Sequence, residues 1–264
     1  MKTALITLLA LAGLAAGQAQ AETIRIVAPY LGSITNEYAN EAYHLDLRDT
    51  ARMEGVYAQW INTKVFQANA FVYRAPDVNY SRVKGLHLNL DFYCKPTAAG
   101  KWVAGAGLES LNIDMSAGGN IAGLSAFDLD NTVSFYYARA GRYFYFKRGP
   151  ADFSLLPYAG YATEKISGKI VMDTPSPSPA RTVDIGDSDS HPIAGLNLNA
   201  TVWHFIDLQA KWMGRFKDGD RLDEYSALAN FYLNRHWGLS YRFKYMEYGS
   251  SSNAYHLGGV AYVF

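Results

Sequence analysis

Histidines and carboxylates are the residue types in this chain best suited to acid–base chemistry. Six histidines are present, and His87 and Glu109 both lie in segments that alternate apolar and polar residues. In a hairpin with its turn centred near residue 98, these two side chains face each other directly. The pair suits general acid–base catalysis, but a hydrogen bond between two polar neighbours is the simpler interpretation. We therefore predict no catalytic residue.

Composition excludes several classes of function. The 264 residues carry 24 basic and 24 acidic side chains, so the field that attracts nucleic acid is missing and no nucleic-acid partner is expected. One cysteine, Cys94, excludes an internal disulfide and a cysteine-rich metal site. We predict neither a metal nor another cofactor.

The first 21 residues have the pattern of a cleaved signal peptide. Lys2 is followed by an apolar run from Ala4 to Ala16, and Ala19-Gln20-Ala21 is a small-x-small cleavage site. The mature chain, 22–264, has no apolar run near the roughly 20 residues that a spanning helix needs. We expect an exported protein that crosses no membrane as a helix.

The mature sequence is dominated by alternation with a period of two, which predicts strands with one apolar and one polar face. Leu86, Leu88 and Leu90, for example, alternate with His87, Asn89 and Asp91. Twelve segments show this pattern, although uncertain parity near the first, sixth and seventh leaves ten as an alternative. They span 23–31, 52–61, 65–74, 80–94, 102–115, 132–146, 153–170, 191–202, 206–216, 225–233, 237–248 and 254–264.

The connections between these segments alternate in length, which is typical of a transmembrane barrel and has no cause in a soluble sandwich. Short turns keep apolar residues opposite each other, pairing Trp60 with Phe66, Val202 with Ile206 and Cys94 with Trp102. The other connections are predicted as outer loops and include 32–51, 116–131 and 171–190. Loop 116–131 would either fold into the pore or stay outside, and we favour the second.

Aromatic residues cluster at two levels, as expected for the two interfaces of a bilayer. Those near the short turns are Trp60, Phe66, Phe92, Trp102, Tyr143, Phe144, Phe146, Phe153, Tyr232, Trp237, Tyr262 and Phe264. Those near the longer loops are Tyr73, Tyr80, Trp212, Phe216, Tyr225, Tyr245, Tyr248 and Tyr255.

The chain ends on Val260, Tyr262 and Phe264 at alternate positions. This ending resembles the C-terminal strand of bacterial outer-membrane β-barrel proteins. The resemblance implies that the barrel-assembly machinery recognises these residues and that outer-membrane lipids and lipopolysaccharide surround the protein. We predict an all-β chain with a signal peptide at 1–21 and, at 22–264, a transmembrane antiparallel up-and-down barrel of about twelve strands in the bacterial outer membrane.

The inward parity carries most of the polar residues, and we predict that nine of them line the lumen. Four cations on two strands would form a basic wall facing Asp91 and Glu109, and such a field favours anions. The alternative is a salt-bridge network that fills the lumen. The nine residues are His87, Asn89, Asp91, Glu109, Arg139, Lys211, Arg215, Arg242 and Lys244.

These features favour a passive channel for small polar or anionic solutes. A non-conducting structural or surface-interaction barrel is the first alternative. The second is a lipid hydrolase, because some outer-membrane barrels of this size cut lipids. That chemistry needs serine, histidine and an orienting group together on the lipid face. The strand of His256 offers no serine or aspartate on the face of that histidine, so we predict that the protein is not an enzyme.

Overall fold

The computed structural model describes residues 23–40, 45–62, 64–78, 81–97, 100–121, 124–173, 181–217, 219–248 and 251–264. The predicted signal peptide, 1–21, lies outside them. Within these ranges no helix is long and apolar enough to cross a membrane. The described chain forms twelve strands: β1 (Thr23–Asn40), β2 (Leu45–Asn62), β3 (Phe66–Val78), β4 (Ser81–Thr97), β5 (Gly100–Ile121), β6 (Leu124–Arg148), β7 (Ala151–Asp173), β8 (Arg181–Val202), β9 (Ile206–Lys217), β10 (Asp220–Tyr232), β11 (Trp237–Tyr248) and β12 (Ser251–Val263).

The twelve strands form one closed antiparallel barrel. Each strand pairs with its neighbours in sequence, and β1 also pairs with β12. This closing ladder runs from Ile26 opposite Val263 to Tyr38 opposite Ser251. Because every strand has two partners in the barrel itself, no strand edge is left exposed to lipid there, and unpaired edges remain where a strand extends beyond its neighbour, as β5 does beyond β4 and β8 beyond β9. The predicted fold class is confirmed, with twelve strands rather than ten.

The barrel wall carries apolar side chains outside and polar side chains inside. Neighbouring residues show the alternation directly: Leu198 is 42% exposed and Asn197 is 3% exposed, while Leu239 is 53% exposed and Ser240 is 5% exposed. A soluble barrel has the opposite arrangement, since its apolar residues fill the interior. The outer surface therefore matches hydrocarbon rather than water.

The strands differ greatly in length. Strands β9 to β12 have 12 or 13 residues, which suffices for a bilayer that about 10 residues cross, whereas β5 to β8 have 22 to 25. The surplus residues project on one side of the barrel as a four-stranded wall. We call this wall, residues 110–121, 124–134, 165–173 and 181–190, the outer sheet. At about 2.5 Å of height per tilted residue, it rises roughly 30 Å above the membrane.

The outer sheet corrects the prediction of long loops. Most of 116–131 is strand, because β5 continues to Ile121 and β6 begins at Leu124. Most of 32–51 and much of 171–190 are likewise strand. Segment 116–131 thus extends the wall instead of folding into the pore. Residues 41–44, 122–123 and 174–180, at the hairpin tips, lie outside the described ranges.

The polarity of the two faces reverses with height, which explains why these strands were missed. In the outer sheet, Leu111, Val133 and Ile166 point to the inside and pack against an apolar cluster. Asn112 and Asp130 lie on the opposite face and share a hydrogen bond of 3.3 Å. Above the bilayer the outer face meets water, so the apolar residues move to the inner face. The outward apolar stripe that predicts a strand therefore stops at the membrane boundary, although the strand itself continues.

The interior also contains an apolar cluster that was not predicted. It occupies the side of the lumen formed mainly by β1, β2, β3 and β12 and contains Tyr30, Met53, Tyr57, Phe71 and Leu257, all at most 4% exposed. Three aromatic residues predicted for the interfacial girdles are buried inside the barrel: Tyr73, Tyr143 and Tyr255. Their inward parity, rather than their height, decides their surroundings.

One predicted register is wrong, and the turn explains the difference. Asn62 pairs with Phe66 and Trp60 with Ala68, so Trp60 is not directly opposite Phe66. The Asn62 side-chain oxygen accepts hydrogen bonds from the backbone N–H of Lys64 (3.2 Å) and Val65 (3.1 Å), which places the turn one residue later than expected. The predicted pairs Val202–Ile206 and Cys94–Trp102 are confirmed.

Inward tyrosines lie over glycines of the neighbouring strand. Tyr137 is paired with Gly107, and a Cβ atom at Gly107 would overlap the tyrosine ring. Replacing Gly107 with valine should lower the free energy of unfolding by about 1–3 kcal/mol because the ring must move. Gly258→Val is the matched control, since nothing lies within 4 Å of its added Cβ. Urea unfolding in detergent measures both, and equal stability of the two variants would contradict the packing argument.

Candidate functional site

The structure places all nine predicted lumen residues on the inward face. Six of them line one cavity between β4, β5, β6, β9 and β11: His87, Glu109, Arg139, Lys211, Arg242 and Lys244. Asn89, Asp91 and Arg215 are also buried inside the barrel. That these side chains line a conducting pore stays a prediction. Several of them form ion pairs inside the barrel.

Arg139 and Asp91 form a buried ion pair. The Nη2 atom of Arg139 lies 2.8 Å from Oδ2 of Asp91, and Nε donates to Oδ1 at 3.2 Å. The side chains are 5% and 2% exposed. Arg139 and Tyr137 both donate to the amide oxygen of Asn89, at 3.2 and 2.8 Å, and the guanidinium lies over the Tyr158 ring at 4.7 Å. Three strands, β4, β6 and β7, are thereby connected through the lumen.

Lys244 joins two carboxylates from different parts of the barrel. Its Nζ atom donates to Oε2 of Glu109 at 2.5 Å and lies 3.3 Å from Oε1 of Glu224. His87 is opposite Glu109, as predicted, with Nδ1 3.5 Å from the carboxylate but without a hydrogen bond. Because Lys244 already holds the Glu109 carboxylate, the His87–Glu109 pair is part of an ion-pair cluster.

A third ion pair lies between β7 and β9. Nη1 of Arg215 donates to Oε2 of Glu164 at 3.1 Å, and both side chains are at most 4% exposed. Nη2 of the same arginine donates to the backbone carbonyl of Glu247. The predicted basic wall is thus divided among separate carboxylates, since Lys244 reaches Glu109 and Arg215 reaches Glu164, while Asp91 is held by Arg139.

Glu164 and Glu224 were not among the predicted lumen residues. Glu164 is on β7, whose parity the sequence left uncertain, and Glu224 fell in a segment assigned to an outer loop. Glu164 is two residues from the buried Ala162, and Glu224 is two residues from Ser226, which lines the lumen. Extending the alternation along each strand would therefore have identified both as inward-facing.

Aromatic rings enclose a lysine at the end of the lumen where the short turns lie. Nζ of Lys101 is 3.2 Å from the centre of the Tyr93 ring, with Tyr143 and Tyr145 at 5.6 and 5.7 Å. Tyr93 also donates to the Gln67 side chain at 3.0 Å. An ammonium group among three rings is held by cation–π attraction, so this level is filled by Lys101.

Two small cavities lie inside the barrel. The cavity lined by His87, Glu109 and Arg139 has a volume of about 30 Å³, and a second one, lined by Tyr57, Asn69 and Gln209, about 20 Å³. Lys211 and Arg242 line both cavities. A water molecule needs at least roughly 10–15 Å³ on this measure, so each space holds one or two waters.

On the lipid face, His256 is the histidine that a hydrolase would need, and its neighbours are aromatic. Nδ1 of His256 is 2.7 Å from the Tyr241 hydroxyl, and the Phe243 ring packs against the imidazole with ring centres 4.9 Å apart and planes tilted by 42°. The register places Ser33 of β1 opposite His256. Because Ser33 is on the neighbouring strand, the sequence of β12 alone did not predict this pairing. No hydrogen bond joins Ser33 to His256 among the described residues, and the partner of the imidazole is a tyrosine rather than a carboxylate.

The C-terminal residues complete the closing seam. Tyr262 packs edge to face on Trp237 with ring centres 4.7 Å apart, and Phe264 packs on Tyr262 at 4.8 Å. The Phe264 N–H donates to the Arg25 carbonyl at 3.0 Å, and Val260 is exposed on the outer face. Their recognition by the barrel-assembly machinery stays a prediction.

The Arg139–Asp91 pair should dominate the stability of the lumen. We expect Arg139→Met or Asp91→Leu alone to lower the free energy of unfolding by about 3–5 kcal/mol, because each leaves a buried charge without its partner. The double variant should cost less than the sum of the two. Lys147→Met, at an exposed pair 3.5 Å from Asp152, should cost under about 1 kcal/mol. Urea unfolding measures this cycle, and additive losses would contradict direct coupling.

No family model and no curated protein matches the chain. Solved structures do match. The translocator domain of the autotransporter NalP from Neisseria meningitidis is 13% identical, with a TM-score of 0.58 over 99% of this chain and 95% of that one. The transport unit of the autotransporter AIDA-I from Escherichia coli is 11% identical, with a TM-score of 0.49 over 94% and 91%. The KdgM porin is 11% identical, with a TM-score of 0.43 over 90% and 99%.

At these identities the likeness concerns the fold alone. The closed twelve-stranded sheet and its apolar outer face agree with that likeness. The chain has the fold of the bacterial outer-membrane β-barrels.

Proposed function

We propose that the protein is an outer-membrane barrel with a closed lumen, which acts at the cell surface through its outer sheet. Three observations support the location: the signal-peptide pattern at residues 1–21, the ending Val260, Tyr262 and Phe264, and the apolar outer band. An outward apolar band is stable only where lipid covers it.

The observation that carries the closed lumen is its network of buried ion pairs. Arg139–Asp91 and Arg215–Glu164 each join two strands separated by one other, and Lys244–Glu109 joins strands on opposite sides of the barrel, with every side chain at most 5% exposed. Hydrated ions need a continuous water path, and a pair that is desolvated on both sides resists opening because a lone buried charge is costly. This favours the non-conducting barrel over the passive channel for small polar or anionic solutes.

The outer sheet supports a role at the surface. Crossing the bilayer uses about 10 residues of each strand, so the remaining half of β5 to β8 contributes nothing to spanning the bilayer. Its outward face is polar and presents Asn112, Asp128, Asp130, Lys169 and Asp184 to solvent. A rigid, hydrogen-bonded sheet offers a binding surface at lower entropic cost than mobile loops.

A labelling experiment tests the orientation. In a Cys94→Ser background, Lys169→Cys places a thiol on the outer sheet and Arg235→Cys places one in a short turn at the opposite end, both at exposed positions. We expect a membrane-impermeant maleimide to label the first in intact cells, and the second only after the outer membrane is permeabilised. Labelling of Arg235→Cys alone in intact cells would reverse the orientation and remove the surface role.

Conductance tests the closed lumen. The refolded mature protein, 22–264, should show no unitary steps in a planar bilayer. Removing the central pair with Arg139→Ala and Asp91→Ala should produce steps, because it empties the middle of the lumen. Lys147→Ala with Asp152→Ala, at an exposed pair, is the matched control and should stay silent. Steady anion-selective steps from the unmodified protein would instead support the passive channel.

A further inference from the structure

Two half-buried cations that line the lumen have no ion-pair partner among the described residues. Within the described chain, Lys211 of β9 and Arg242 of β11 form no salt bridge, although each lies inside the barrel and lines both cavities. Nη1 of Arg242 is buried without a hydrogen-bond partner. The Arg242 guanidinium lies over Tyr57 and Phe71, at 4.6 and 4.5 Å from the ring centres, which fixes its position without neutralising its charge.

The nearby carboxylates are already engaged. Glu109 and Glu224 both bind Lys244, and Asp91 binds Arg139. Around the first cavity, the four cations Arg139, Lys211, Arg242 and Lys244 therefore face these three carboxylates, which leaves one positive charge over. An uncompensated charge in a confined, poorly solvated space is costly, and the cost increases when a second cation is close.

We propose that the lumen binds one small monovalent anion, with chloride as the simplest example, between Lys211 and Arg242. The charge balance of the lumen and the volume of its cavities both fit a small monovalent anion. One negative charge balances the excess, and the cavities of about 30 and 20 Å³ admit a monatomic anion or a few atoms but not a sugar or a nucleotide. Nζ of Lys211, Nη1 of Arg242 and the hydroxyl of Ser226 are the donors available to it, since Ser226 also lines both cavities.

This anion would be a structural ligand of the closed lumen. Its binding does not require the barrel to conduct, and it is independent of any partner of the outer sheet. Bound there, it completes the charge balance of the network, so its effect appears in the stability of the folded barrel.

Urea unfolding of the refolded mature protein tests the site, with sodium chloride exchanged for sodium gluconate at constant ionic strength. At a urea concentration near the midpoint, the ratio of folded to unfolded protein should rise with chloride, by about tenfold when chloride reaches about ten times its dissociation constant. Lys211→Met should abolish this dependence, because the excess charge is gone. In gluconate, the Lys211→Met variant should be at least as stable as the unmodified protein, because it no longer carries the excess positive charge.

Lys147→Met, which removes an exposed lysine at the end with the short turns, is the matched control and should keep the full chloride dependence. A second measurement needs no variant: crystals grown in bromide should show an anomalous peak between Lys211 and Arg242. Equal stability in chloride and gluconate, an unchanged chloride dependence in Lys211→Met, or a bromide map without that peak would each overturn the proposal.

Discussion

The hydrogen-bond ladder between β1 and β12 is the constraint on which the rest of the structure depends. A sheet in hydrocarbon cannot leave backbone N–H and C=O groups unpaired, because each one costs several kcal/mol there. Closing the sheet removes both edges at once and turns alternation along a strand into an inside and an outside. The lipid face, the polar lumen and the ion pairs across it all follow from that closure. The seam itself is held, at the end with the short turns, by Tyr262, Phe264 and Trp237.

Sequence patterns predicted the membrane-spanning part well for a physical reason. Across the bilayer the solvent outside is uniform, so strict alternation such as Leu86 to Asp91 marks strand, face and register together. The even strand number and the His87–Glu109 pairing came from this alternation and from turn length. Asn62 shows the limit, since its side chain shifts a turn by capping it, and alternation carries no sign of such a cap.

The interior could not be predicted to the same depth. Parity tells which residues point inward, but which cation meets which carboxylate depends on barrel shear and side-chain length. Arg139 reaches Asp91 from β6, and of the basic residues on β9 and β11, Lys244 meets the expected Glu109 whereas Arg215 binds Glu164. The inward apolar cluster around Phe71 and Tyr73 was missed because inward positions were assumed to be polar. A filled lumen obeys the packing rules of an ordinary core, so it accepts both kinds of residue.

The single-sided outer sheet gives the molecule a front and a back. Strands β5 to β8 rise far above the rim that β9 to β12 leave low. A barrel of uniform height looks the same from every direction in the plane of the membrane, but this one does not. A macromolecule approaching laterally meets a tall polar wall from one side and reaches the barrel mouth unobstructed from the other. Rotation about the membrane normal therefore changes which surface this protein presents to a given neighbour.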